Sequence, residues 1–158
     1  MVVDPPAGPL EVHVAHLPPG VSRPEEKVAT FEASYAGLSE PSARPRILCG
    51  DFNSPQSETK AGDVLTWANH HPSMYERWDA AERSVLQGLA VFDLSDVYRR
   101  VNRYQADEGS WITPSGTPRR YDHVFASKRL NPVSCGYVHG FREAGLSDHS
   151  PIEVVFEP

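Results

Sequence analysis

The chain has 158 residues, 39% of them hydrophobic and 23% charged, which fits one soluble domain long enough to bury a core of its own. Its formal charge of −6 argues against a broad basic footprint that grips a long polyanion through many phosphate contacts, though not against a phosphate ester held in a metal-lined cleft. No apolar run reaches the length of a membrane span, and the start Met1-Val2-Val3-Asp4-Pro5-Pro6 lacks the basic and apolar regions of a signal peptide, so no address is visible; cytoplasmic residence is expected from two cysteines that read as free thiols.

The 15 prolines lie before and between the apolar runs and predict a strand-and-loop protein with few long helices. Cys49 and Cys135 lie in or beside apolar runs and read as buried free thiols. Leu10 to Leu17 alternates as a strand, with Val12, Val14 and His16 on one face, His16 as its last inward residue, and His13 at the surface. A histidine in the position of His16 is either a satisfied core or cap residue or a catalyst. From Arg23 to Leu38 the spacing predicts an amphipathic helix: Pro24-Glu25-Glu26 opens it, Val28, Phe31 and Tyr35 share a face, and Gly37 stops it.

Arg46-Ile47-Leu48-Cys49-Gly50-Asp51-Phe52-Asn53-Ser54-Pro55 is a short apolar run that stops at Gly50 and presents an acid and an amide two residues apart. Alternation along extended backbone points Asp51 and Asn53 to one side and packs Phe52 inward. The arrangement suits a phosphate or metal site, and equally an Asx-rich turn after a core strand.

Beyond it the pattern predicts a helix through Val64, Leu65 and Trp67, a polar turn at His70-His71, and a second helix from Tyr75 to Leu89. The His70-His71 pair has no Cys or acid at ligand spacing. Leu94, Val97 and Tyr98 should pack, with Arg99 and Arg100 exposed. A hairpin starts at Trp111, turns at Ser115-Gly116-Thr117-Pro118 and leads into the strand Tyr121 to Ala126. Asp122 heads that apolar strand and needs a partner, because an unpaired buried acid is costly. Cys135 to Val138 and Ile152 to Phe156 complete the strands, the latter preceded by Asp148-His149.

Four strand ends thus carry His16, Asp51 with Asn53, Asp122, and Asp148 with His149. Hydrolysis of a phosphate ester needs this set: carboxylates for a divalent cation, a base for the attacking water, and an amide at the phosphoryl oxygens. The order H-L-P-P-G, G-D-F-N, S-W-x-T-P-S-G-x-x-R-R-Y-D-H-V-F and L-S-D-H-S-P-I, from about Leu10 to the end, resembles the endonuclease/exonuclease/phosphatase superfamily, which includes pancreatic deoxyribonuclease and exonuclease III.

That resemblance implies a divalent-metal-dependent phosphoesterase, nuclease-like, acting on a phosphodiester or phosphomonoester with magnesium or manganese. It implies that Asp51 activates or orients the attacking water, with Asn53 beside it on the phosphate or metal. His149 would be the base or phosphate-binding imidazole, oriented by Asp122, with Asp148 a metal-side carboxylate and His16 a general acid or transition-state stabiliser. The implied metal set is therefore Asp51, Asn53 and Asp148. The implied fold is an α/β two-layer sandwich, four-layered as α/β/β/α. The family's upstream Asn and its metal-binding Glu have no counterpart here, and Glu11, Glu25 and Glu26 match no such motif. The chain is accordingly expected to be a C-terminal half, prone to self-association through an exposed sheet, and a non-catalytic fragment is the alternative. Nucleic acid, a phospholipid headgroup and a small phosphodiester are all substrates that these motifs serve.

Overall fold

An apolar strand, an amphipathic helix and a second apolar strand dictate a parallel pair with the helix laid across it. The computed structural model, which describes residues 1–3, 8–105 and 108–157, is built around this unit. Strand β1 (Val2–Val3) pairs antiparallel with β2 (Leu10–His16), helix α1 (Pro24–Leu38) crosses over, and β3 (Arg46–Asp51) lies parallel to β2. The short pair β4 (Ser57–Glu58) and β5 (Val64–Leu65) follows, then α2 (Tyr75–Leu86), β6 (Ser95–Asp96) and α3 (Val97–Asn102). The hairpin β7 (Trp111–Ile112) and β8 (Pro118–Arg119) leads into β9 (Asp122–Ala126), and β10 (Pro132–Tyr137), α4 (Gly140–Glu143) and β11 (Ile152–Phe156) close the chain.

The central sheet has the order β1-β2-β3-β9-β6, and β10 pairs with β11 in a separate two-stranded sheet. Alternation along the strands gives the central sheet two apolar faces. Leu48 and Phe125 face the helices and pack with Val28 and Phe31 of α1 and with Trp78 and Val85 of α2. Ile47, Cys49, Val124 and Ala126 face the other way and pack with Cys135, Tyr137, Ile152 and Val154 of the second sheet and with Val97 and Tyr98 of α3. Phe31, Leu48 and Phe125 are almost wholly buried, and burying each contributes roughly 1.5–3 kcal/mol. The described residues thus form helices, a sheet, and a narrower sheet on its far face.

Several local expectations change. Val64 and Leu65 form a strand paired with Ser57 and Glu58, and only a short 3-10 turn, Trp67–His70, follows; β-branched Val64 is buried against the pairing strand rather than on a helix. Gly37 lies inside α1, whose cap is Ser39. Both cysteines are free, Cys135 buried and Cys49 half-buried. His13 is half-buried instead of at the surface, because its face of β2 is the helix-covered one. Val14 and His16 lie on the opposite face and are exposed, since the second sheet does not reach β2. Arg99 is 11% exposed rather than solvated, because Glu58 pairs with it.

Gly50 carries the main steric constraint. Its φ is +142°, and a Cβ there would collide with the carbonyl oxygen of Ala15 on the parallel neighbour. Gly50→Ala is expected to destabilise the fold by about 3 kcal/mol, combining strain with displacement of β2 from β3. A urea unfolding midpoint unchanged by that substitution would contradict the close approach.

Candidate active site

Strand register brings three of the sequence-derived residues level. His16 of β2 lies opposite Asp51 of β3, which lies opposite Asp122 of β9. His149, on the segment between α4 and β11, completes the group, with Nδ1 at 2.7 Å from Asp122 Oδ2. Among the described residues, Asp51, Asp122 and His149 are the one set of three His, Cys, Asp or Glu whose ligand atoms lie within 4.8 Å of one another. His16 stands at the margin, its Nε2 at 3.7 Å from Asp51 Oδ2 and its side chain 77% exposed. Asp148 is exposed and lines the adjoining cleft with Asn53 and His149, outside that cluster.

Asn53 is held by both ends. Its φ of +47° is a left-handed bend that asparagine tolerates. In that bend its backbone N–H donates to Asp51 Oδ1 (2.8 Å), and its Nδ2 donates to Leu17 O (2.9 Å) and to Asp51 Oδ2 (3.2 Å). Its carbonyl accepts from Lys27 Nζ, and Lys27 is wholly buried. With both amide hydrogens engaged, Asn53 offers an acceptor oxygen rather than the amide donor that its sequence position suggests.

The electrostatics follow from two acids sharing a strand end. Burial pushes the Asp51 carboxyl up, Asn53's N–H opposes that, and the Asp122 charge raises it further. The hydrogen bond to Asp122 raises the His149 imidazole above its usual 6.5. Burial lowers Lys27 to about 8, opposed by Glu82 and Asp51.

Several supporting residues were not legible as such. Ser110 is fully buried, and its Oγ accepts from the N–H groups of Tyr121 and Asp122 while its carbonyl accepts from Ser150 N–H, tying the start of β9 to the His149 segment. Ser150 Oγ lies 3.0 Å from His139 Nδ1. Arg120 bridges Glu58 (2.7 Å) and Asp96 (2.8 Å), and His123 Nε2 sits 2.8 Å from the Ser54 carbonyl, which anchors the loop after Asn53. Lys27 does have a sequence signature, since it falls on the helical stripe of Phe31 and Leu38. Beside His149 opens a cleft of about 470 Å³ walled by Trp67, His70, His71, Trp78, Trp111 and Tyr121, from segments read above as helix, turn and hairpin.

The Endonuclease/Exonuclease/phosphatase family model matches residues 2–149. No curated protein sequence matches the chain. Solved structures with similar folds include humanized D. rerio TDP2 (TM-score 0.61, 16% identity, 95% of this chain and 56% of that one). The 3' phosphatase NExo from Neisseria, bound to product DNA hairpin, has a TM-score of 0.61 at 19% identity, over 93% of this chain and 61% of that one. An endonuclease/exonuclease/phosphatase family protein from Leptotrichia buccalis C-1013-b has 0.59 at 18%, over 99% and 51%. The chain therefore spans roughly half to three fifths of the length of these structures.

The Asp122–His149 pair sets a titration. Because the folded imidazole binds its proton more tightly than the unfolded one, the pair's stabilisation is fully present below pH 6.5 and is lost as pH rises through the raised value. Following the His149 ring protons by NMR should give a midpoint above 6.5, and Asp122→Asn should lower it. An unchanged midpoint in Asp122→Asn would show that the contact does not govern the imidazole.

Proposed function

Because the chain belongs to the endonuclease/exonuclease/phosphatase family, we propose that it carries the acid, amide and imidazole groups of a divalent-metal-dependent phosphoesterase of nuclease-like type. The observation that carries this reading is the level alignment of His16, Asp51 and Asp122 across three strands, with His149 hydrogen-bonded to Asp122 at 2.7 Å.

In this reading Asp51 orients the attacking water and takes its proton, and water oxygen bonds to phosphorus as the ester oxygen leaves. His149, fixed in tautomer and direction by Asp122, donates to a phosphoryl oxygen and stabilises the charge that develops there. His16, exposed at the rim, gives a proton to the leaving oxygen. The donor set fits a hard cation: Asp51 and Asp148 offer carboxylate oxygens, and Asn53, with both amide hydrogens engaged, has only its oxygen left to offer. Asp51, Asn53 and Asp148 would hold magnesium or manganese, which supplies neutralising charge at the phosphoryl oxygens when bound.

Nucleic acid is the substrate class favoured here, since NExo is described with a product DNA hairpin and a further D. rerio TDP2 structure with a single-strand DNA product. The architecture is that of the part of a four-layered α/β/β/α sandwich that bears these strand ends. Exposed Val14 on the uncovered face of β2 makes that surface a place for self-association. A non-catalytic role is the second reading. It is favoured by Asp148 standing outside the Asp51, Asp122 and His149 cluster, which leaves Asp51 as the one carboxylate of the named cation set inside it.

Joined to a complementary half, the chain should hydrolyse bis-p-nitrophenyl phosphate in magnesium or manganese, with Asp51→Asn and His149→Ala each at least about a hundredfold slower. Rates should fall as pH drops through the raised Asp51 value, because the base is then protonated. Full rates in both variants would place the chemistry elsewhere, and no hydrolysis at all would favour the non-catalytic reading. By sedimentation, the isolated chain should associate as concentration rises; a monomer at all concentrations would contradict the sheet-face assignment.

A further inference from the structure

We propose that the aromatic cleft beside His149 is a stacking site for one unpaired nucleobase adjoining the phosphate, so that single strands and frayed ends are taken over intact duplex. The inference rests on the phosphoesterase reading and adds the feature that selects the substrate.

The cleft holds two ready-made stacks. Trp111 lies over Tyr121 with ring centroids 5.6 Å apart and planes 17° apart, and His71 lies over Trp78 at 4.4 Å and 7°. In each pair the inner ring is buried, Tyr121 at 7% exposure and Trp78 at 0%, and the outer ring is half-buried at the cleft wall. A ring already stacked on a buried partner has little rotational freedom left to lose, and a planar base extends such a stack at small entropic cost.

Position and size agree with this. Tyr121 precedes Asp122 directly, and its ring centroid is 6.5 Å from that of His149, so a base at the Trp111 wall sits next to the phosphate held at the strand ends. The cleft's volume of about 470 Å³ lies within the ordinary range for small-molecule sites and admits one nucleoside, not a stacked pair of strands. A base inside a duplex would first have to give up its stacking and pairing.

Charge narrows the ligand further. Among the described residues no lysine or arginine lines the cleft, so binding there comes from ring contact and not from following a long phosphate backbone. A quaternary ammonium headgroup also binds aromatic walls, but it is enclosed by ring faces that converge on one point. Here the His71–Trp78 and Trp111–Tyr121 pairs are nearly parallel, which suits a flat ligand, and only Trp67–His70 is tilted, at 53°.

Calorimetric titration of the full chain with four probes tests the proposal: tetrathymidylate, a tetramer of the same phosphate charge whose sugars carry no base, a short DNA duplex, and phosphocholine. Tetrathymidylate should bind at least about tenfold more tightly than the base-free tetramer and than the duplex. Trp111→Ala should reduce that preference to near unity while base-free binding persists, and Trp111→Phe should retain it. Equal affinity for tetrathymidylate and the base-free tetramer would overturn the stacking site and leave the phosphoesterase reading standing. Tighter binding of phosphocholine than of tetrathymidylate would identify a headgroup pocket instead. Failure of every phosphate-bearing probe to bind would remove both readings.

Discussion

Two carboxylates face each other across the ends of β3 and β9, and the rest of the site is arranged to tolerate them. Asp51 and Asp122 are register partners, so neither can leave without breaking the sheet's pairing. Burial, and then the charge of Asp122, raise the cost of ionising Asp51. Asp122 is relieved by the imidazole of His149, and Asp51 by the two donors of Asn53. The left-handed bend at Asn53 and the collision that bars any side chain at Gly50 are backbone consequences of bringing these groups together.

Behind this end of the sheet lies an unusual amount of buried charge. Lys27 is enclosed with Glu82, whose carboxyl is pushed up by burial although Trp78 and the Trp67 N–H donate to it. Arg120, Glu58, Asp96 and Arg99 form a second enclosed network, in which the adjacent Arg120 guanidinium holds Asp96 well below the usual carboxylate range against its desolvation. Buried ion pairs are weak contributors to net stability, but losing one partner strands the other at high cost. Their effect here is positional: Lys27 grips the Asn53 carbonyl, and the Arg120 network, through His123, grips the Ser54 carbonyl. The loop carrying Asn53 is thus clamped from both sides.

The strand ends were legible together, because four of them carry polar residues of one kind although each alone also reads as a turn or a cap. β3, β9 and β11 lie where alternation and turn residues place them, and α1 lies where its Pro24 opening and the spacing of Val28 and Phe31 place it. Asp122 needed a partner on energetic grounds alone, and His149 occupies that place. Contacts between distant segments were not legible. Val64 and Leu65 carry no period in so short a run, and only pairing with Ser57 and Glu58 makes them a strand. Arg99 reads as a surface residue until Glu58, 41 positions earlier, is seen against it. The exposure of Val14 and His16 likewise depends on how far the second sheet extends, which alternation along β2 cannot report. The aromatic cleft draws on three separated segments, so no single window displays it.

The account stands on Asp51 as the anchor of a cation beside His149. Titrating the chain with manganese while observing imidazole ring protons tests this directly, because a paramagnetic ion broadens nearby resonances selectively. The account predicts that His149 and His16 broaden well before His13, His123 and His139, and that Asp51→Asn removes the selectivity. Uniform broadening of all these histidines, or selective broadening that persists in Asp51→Asn, would contradict it.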